Sequence, residues 1–170
     1  PWGMDFLPND MMIVTERAGR VRTVSNQGQL SAPLKGVPKV INNGQGGMLD
    51  VTLDPEFAKN NLIYVSYSEP GKGGSGTAVA RAKLDIEHNC LENLQVIFRQ
   101  HPKSNGPHHY GSRLVFARDG TLFITIGERG ELDRAQDFSI NRGQVIRIHS
   151  DGSIPDDNPF IGRKGYRPEV

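Results

Sequence analysis

The sequence predicts an all-β fold, and its composition and residue pattern both indicate this class. Glycine and proline account for 20 and 11 of the 170 residues, and apolar runs with helical spacing are rare. Short segments rich in β-branched and aromatic residues alternate instead with polar turns, as in residues 62–67 and 77–84. The length is that of one ordinary globular domain.

The predicted strands follow one another along the chain with turn residues between them. The glycine-rich segment 71–76 separates two apolar runs and therefore predicts a hairpin connection. Only residues 131–139 have a composition compatible with a helical turn. The strands are predicted at residues 12–15, 20–24, 49–53, 62–67, 77–84, 113–116, 122–126 and 143–148.

A loose internal repeat indicates how these strands are grouped. Segments 6–10, 53–57 and 116–120 each end a strand in a polar turn, and an apolar strand follows each of them. Propeller blades of four strands repeat at about 40 to 50 residues. Three such units fit the chain, and three blades cannot close a ring. We therefore predict that residues 1–170 form a partial β-propeller domain. Strand spacing alone leaves a self-contained β-sandwich open.

Charge and hydropathy exclude two classes of partner. The formal net charge is +1, from 20 basic and 19 acidic residues that are scattered, which argues against nucleic acid. No segment approaches the roughly 18 consecutive apolar residues of a membrane span. The single cysteine, Cys90, excludes an internal disulfide. No signal peptide is visible in a chain that starts at Pro1, and this is no argument for the cytoplasm.

Two loops of similar design carry the candidate site. Segments 43–50 and 107–116 each place a polar side chain beside glycine or other small residues, just before a strand. An imidazole such as that of His109 takes up a proton near neutral pH, and a loop that enters a strand can face a ligand. The Gln45 amide both donates and accepts hydrogen bonds, although a tight turn would also explain its glycine neighbours. We predict that His109 and Gln45 share one site.

Four segments in order, 1–8, 44–50, 109–115 and 151–160, resemble the glucose/sorbosone dehydrogenase family, the soluble pyrroloquinoline-quinone (PQQ) sugar dehydrogenases. The resemblance implies a six-bladed propeller of four-stranded antiparallel blades, of which this chain supplies about three. It also implies oxidation of an aldose sugar at C1 to its lactone. In that reaction PQQ takes the hydride and an external acceptor takes the electrons.

The resemblance also implies roles for individual residues. His109 would be the general base that takes the proton of the C1 hydroxyl, and it would also contact PQQ. Gln45 would contact both the cofactor and the sugar. His108 would lie near the substrate, although a structural or rim position is the alternative for this residue.

Glu128 follows an apolar strand, at a position where the family carries an acidic or related polar residue. Its carboxylate would either bond the second ring nitrogen of His109 and hold its tautomer, or pair with Arg129 or Arg134 at the surface. If it orients the histidine, Glu131 and Leu132 would belong to a loop that faces the substrate.

Three further features are predicted to be structural. Arg113 begins a strand, which favours an ion pair over binding of the quinone carboxylates, and Asp50 lies on the strand behind Gln45. Segment 151–160 contains several aspartates, but it lacks the spacing and terminal glutamate of an EF-hand. The family uses this segment as a connecting turn.

The resemblance further implies calcium at the carboxylate edge of PQQ, with ligands beyond residue 170, so no metal ligand is assigned within this chain. It implies a periplasmic or secreted location. Two other functions stay open from the residues themselves. One is a non-catalytic propeller that binds sugars or a protein, and the other is a calcium-dependent hydrolase of the lactonase type.

Residues 1–170 alone are expected neither to bind PQQ tightly nor to oxidise glucose, because the resemblance places the calcium ligands and much of the pocket elsewhere. The measurement is sugar-dependent dye reduction by this segment with PQQ and calcium added. Detectable turnover would contradict the expectation.

Overall fold

The computed structural model describes residues 1–170 and confirms the all-β prediction. Its strands form three antiparallel sheets, arranged as consecutive blades of a β-propeller. Sheet 1 contains β1 (Met4–Phe6), β2 (Met12–Glu16) and β3 (Arg20–Val24). Sheet 2 contains β4 (Met48–Leu53), β5 (Leu62–Gly71), β6 (Gly74–Asp85) and β7 (Cys90–Arg99). Sheet 3 contains β8 (Gly111–Phe116), β9 (Leu122–Ile126) and β10 (Val145–Ile148).

Sheet 2 lies between the other two sheets and buries both of its faces. On β5, Ile63 and Val65 belong to an apolar core shared with sheet 1, whereas Tyr64 belongs to a second core shared with sheet 3. This double burial explains why β5 is apolar at consecutive positions instead of alternating. By contrast β8 alternates, because its outward side chain Val115 is 53% exposed.

Aspartates on the first strands of sheets 1 and 2 connect each sheet to the next. The carboxylate of Asp5 on β1 accepts a hydrogen bond from the Leu53 backbone N–H on β4, at 2.9 Å. The carboxylate of Asp50 on β4 accepts one from the Leu114 backbone N–H on β8, at 2.8 Å. Asp5 and Asp50 thus make the same kind of contact, each from the first strand of one sheet to the first strand of the next.

Only sheet 2 has the four strands expected of every blade. In sheet 1 the chain turns at Gly28 after β3, and Leu30 forms a single bridge to Val24. Two prolines, Pro33 and Pro38, then lack the N–H that a fourth strand would need. In sheet 3 the Arg147 backbone N–H of the edge strand bonds to the Glu169 carbonyl at 2.8 Å.

Three local features differ from the sequence prediction. Strand β7 was not predicted, because two register shifts against β6 interrupt the alternation of its side chains. A four-residue helix α1 (Phe57–Asn60) follows the turn predicted at 53–57, where no helix is predicted. The helical turn predicted at 131–139 is only a 3₁₀ turn, Leu132–Arg134. The 71–76 hairpin is confirmed, since β5 and β6 pair as far as Gly71 and Gly74. No helix here has the length and apolar character that crossing a membrane would require.

Replacing Ile124 by alanine is expected to lower the free energy of unfolding by about 2–5 kcal/mol, since this fully buried side chain fills the core between sheets 2 and 3. Urea denaturation of the full-length natural protein measures the loss. The control is Val115→Ala in the same sheet, where the exposed side chain predicts a change within about 0.5 kcal/mol. Equal losses in the two variants would contradict the proposed packing.

Candidate active site

His109 lies where the chain enters β8, and close backbone contacts fix its position. Its φ of +53° is in the left-handed region, which a residue with a side chain rarely adopts. The pairing of β8 with β9 is irregular between Gly111 and Leu114, so the strand begins with a bulge that redirects the chain. A Cβ at Gly127 would lie 1.9 Å from the His109 carbonyl oxygen, so only glycine fits there.

Gln45 is bonded directly to the backbone of this loop. Its side-chain Oε1 accepts a hydrogen bond from the His109 backbone N–H at 2.8 Å, and its own backbone N–H donates to the Pro107 carbonyl at 2.8 Å. Gly47 follows with φ of +149°, and a Cβ there would lie 2.0 Å from the Arg17 carbonyl oxygen. The two glycine-flanked loops therefore meet, as their similar design predicts.

Gln45 and His109 line one cavity of about 230 Å³ at this end of the sheets. The side chain of His109 is 51% exposed, so its ring is accessible to a ligand. The common cavity predicted for these two side chains is thus present. Its lining consists of Trp2, Arg17, Gln45, Leu49, His109, Tyr110 and Gly111.

The His109 ring is held by Glu128, which follows the end of β9. The Nδ1 atom of His109 forms a hydrogen bond with Oε1 of Glu128. This bond is the main cause that lowers the pKa of the Glu128 carboxyl, so the carboxylate is ionised at neutral pH and accepts a hydrogen bond from Nδ1–H. With Nδ1 engaged in this bond, Nε2 is the ring nitrogen that forms no hydrogen bond.

The two arginines that could instead pair with Glu128, Arg129 and Arg134, make other contacts. Arg134 pairs with Asp137 at 3.1 Å, and Arg129 extends beneath the loop of His109. Of the arrangements left open by the sequence, the contact between Glu128 and His109 is the one formed. The catalytic role of this contact stays a prediction.

His108 and the loop after Glu128 lie outside the cavity. The His108 side chain is exposed and does not line it, although its ring centroid is 6.1 Å from that of His109. Glu131 and Leu132 border a second depression that shares no lining residue with the first. Substrate contact by His108, Glu131 or Leu132 therefore stays a prediction.

The structural roles predicted for Arg113 and Asp50 are confirmed. Arg113 Nη1 donates to Asp50 Oδ1 at 3.0 Å, and the Asp50 side chain is 2% exposed. Burial raises the pKa of Asp50 even though this guanidinium opposes the rise. The segment 151–160 is also structural, because Asp157 bonds to Arg147 at 2.7 Å and the Asp151 carboxylate accepts from Ser153.

One cluster of potential metal ligands lies at the far end of sheet 2. Asp85, Cys90 and Glu92 bring their ligand atoms within 4.8 Å of one another. Asp85 ends β6 near Leu62, whereas the His109 cavity adjoins the start of β4, so the two are at opposite ends. Calcium prefers oxygen ligands, and a thiol does not suit it.

Sequence reasoning missed several residues around the site. Trp2, Arg17 and Tyr110 all line the cavity. Arg129 is buried below the His109 loop, which its sequence position between Glu128 and Gly130 does not indicate. These positions depend on contacts between sheets that are remote in the sequence, so no local pattern identifies them.

Comparison with known proteins places this architecture in a family. The Glucose / Sorbosone dehydrogenase family matches residues 1–170, the whole of the chain. The chain belongs to this family. Aldose sugar dehydrogenase YliI of Escherichia coli (strain K12) is 45% identical over 172 residues, which cover 100% of this chain and 46% of that protein. The chain of this glucose/sorbosone dehydrogenase family member thus spans about half the length of the relative.

Solved structures of relatives have the same fold as this family member. The soluble aldose sugar dehydrogenase from Escherichia coli in its apo form superposes with a TM-score of 0.96 at 45% identity, over 100% of this chain and 50% of that chain. The PQQ-bound aldose sugar dehydrogenase from Streptomyces coelicolor gives a TM-score of 0.84 at 29% identity, over 95% and 48% of the two chains.

Replacing Glu128 by glutamine in this family member should reduce its loss of stability at acid pH. Because the folded pKa of Glu128 is lowered, its stabilising contribution is present above the unfolded value of about 4.5 and is lost as pH falls through the folded pKa. Thermal unfolding midpoints between about pH 3 and pH 7 measure this dependence. Glu87→Gln, at an exposed position, is the control, and a pH profile unchanged by Glu128→Gln would contradict the prediction.

Proposed function

We propose that the protein containing this chain is a PQQ-dependent dehydrogenase that oxidises aldose sugars at C1 to the lactone. The observation that carries the proposal is the arrangement of His109. Its Nδ1 is bonded to Glu128, its ring is half exposed, and it shares a cavity with Gln45. The family and the aldose sugar dehydrogenases similar to the chain support this assignment.

The donor chemistry around the cavity fits PQQ. This cofactor presents carbonyl and carboxylate oxygens, which require hydrogen-bond donors. Because Gln45 uses Oε1 for the His109 backbone, its amide NH₂ group is left to donate. Arg17 gives one N–H to the Gly44 carbonyl at 2.7 Å, and its guanidinium carries further donors at the cavity wall. The structure of a relative with PQQ bound supports the same cofactor.

Bound PQQ would supply the two-electron acceptor for sugar oxidation. His109 would use its free Nε2 to take the proton of the C1 hydroxyl, which raises the electron density on that oxygen as C1 is oxidised. The ionised Glu128 would hold the Nδ1–H tautomer and stabilise the imidazolium that forms. In this assignment His109 and Glu128 form the catalytic pair.

Gln45 would orient the ligands, because its side chain is itself fixed by the His109 backbone N–H. Its amide would contact the cofactor and the sugar. For His108 we propose contact with the outer part of the sugar, since its exposed ring adjoins that of His109. Calcium ligands are proposed to lie beyond residue 170, and the location is proposed to be periplasmic or secreted. An external acceptor would remove the electrons.

Replacing His109 by glutamine is expected to lower kcat by about 10² to 10⁴, the usual contribution of a general base. Glu128→Gln should lower kcat by about tenfold or more, because the tautomer is no longer fixed. The assay is glucose-dependent dye reduction by the full-length protein with PQQ and calcium. His88→Gln is the matched control, since His88 is an exposed histidine bonded to Asp85 at the opposite end of sheet 2.

Assays of the same full-length protein also test the other two candidate functions. A hydrolase would release acid from lactones with calcium and without PQQ. A binding propeller would catalyse neither sugar oxidation nor lactone hydrolysis. Wild-type kcat in His109→Gln, or lactone hydrolysis that requires no PQQ, would refute the proposed function.

A further inference from the structure

Arg129 is the largest of the fully buried side chains, with 2% of its surface exposed. Its guanidinium forms no ion pair with a carboxylate. It donates instead through Nη1 to the His108 carbonyl at 2.5 Å, and through Nη2 to the Gly106 carbonyl and to Ser75 Oγ. A buried cation bonded only to neutral groups is costly, so its contacts indicate a specific use.

The same guanidinium lies over the ring of Tyr110, with its central carbon 3.4 Å from the ring centroid. The Tyr110 hydroxyl is fixed in turn by Ser75 Oγ at 2.7 Å. Arg129 therefore contacts Gly106 and His108 through their carbonyls and Tyr110 through its ring. His109 lies between the last two of these residues.

His109 needs such support because its backbone is in the left-handed region at φ of +53°. A non-glycine residue in this conformation costs free energy and persists only where its surroundings determine it. Contacts to both chain neighbours of His109 restrict this backbone, and Glu128 restricts the ring. Glu128 and Arg129 are adjacent, so one short segment after β9 holds the ring and the backbone of the same histidine.

We propose that Arg129 is a positioning residue that fixes the backbone of His109, so that Nε2 faces the cavity while Nδ1 meets Glu128. The inference rests on the proposed function for its effect on catalysis. The effect on the conformation of the histidine is independent of the proposed function, because the contacts that hold the loop belong to this chain alone.

The test uses Arg129→Gln and Arg129→Lys in the full-length protein. Arg118→Gln is the matched control, since Arg118 is exposed on the turn between β8 and β9 at the other end of sheet 3. The first readout is ¹H–¹⁵N NMR of histidine-labelled protein without PQQ, with the His109 signals assigned from His109→Gln. The second is kcat and KM for glucose, and the third is the thermal unfolding midpoint.

Arg129→Gln is expected to convert His109 from a single Nδ1–H tautomer to a mixture of tautomers. It should lower kcat by about 100-fold with KM changed less than about threefold, because a small misplacement of a catalytic group has this effect. Arg129→Lys keeps the charge, and its ammonium group can reach one of the carbonyls. Its kcat should therefore be about tenfold higher than that of Arg129→Gln. Arg118→Gln should match the wild type.

A wild-type His109 spectrum in Arg129→Gln would overturn the proposal, as would wild-type kcat in that variant. The proposal would also be overturned if the tautomer is unchanged and the drop in kcat is explained by a lower thermal unfolding midpoint, that is, by less folded protein in the assay. If Arg129→Gln does not fold, Arg129→Lys decides by the same criteria. A changed tautomer in a protein that never oxidises sugar would refute the proposed function and leave the positioning role standing.

Discussion

The candidate active site depends on a buried carboxylate at the junction of two blades. Asp50 on β4 accepts hydrogen bonds from the Arg113 side chain and the Leu114 backbone N–H on β8. Next to it, the Ser66 hydroxyl donates to the Ser112 carbonyl at 2.7 Å. These contacts hold the bulged start of β8 against β4 and β5, so they fix His109 relative to the loop of Gln45. Because the carboxylate is buried, loss of the Arg113 side chain would leave its charge without an ion-pair partner, which is costly.

Each chemical group of the candidate site lies next to the end of a different strand. The amide of Gln45 precedes β4, the imidazole of His109 precedes β8, and the carboxylate of Glu128 follows β9. Since β4 contacts β8 and β8 pairs with β9, these three strand ends lie side by side. The chemistry is thus carried by loops, and the precision of its geometry comes from the sheets beneath them.

Much of this arrangement could be predicted from the sequence, and the failures have a physical cause. Strands with regular alternation, such as β8, and the glycine-flanked positions of Gln45 and His109 are local signals. The contact between Glu128 and His109 could be stated only as one of several options, since it depends on how β9 packs beside β8. Arg129 was missed because an arginine normally lies at the surface, and only the tertiary structure reveals that it is buried. Strand β7 was missed because bulges break its alternation.

The close approach of Gly127 to the His109 carbonyl has a consequence for how this protein can diverge. At Gly127 any side chain would collide with backbone, so the position tolerates no change without displacing the imidazole. Arg129, two residues further on, is enclosed by its contacts. By contrast, Leu132 is 74% exposed and the neighbouring Asp133 is also at the surface. Side chains at these two positions, which lie outside the His109 cavity, can therefore change in selection or protein engineering without colliding with the backbone that holds the imidazole.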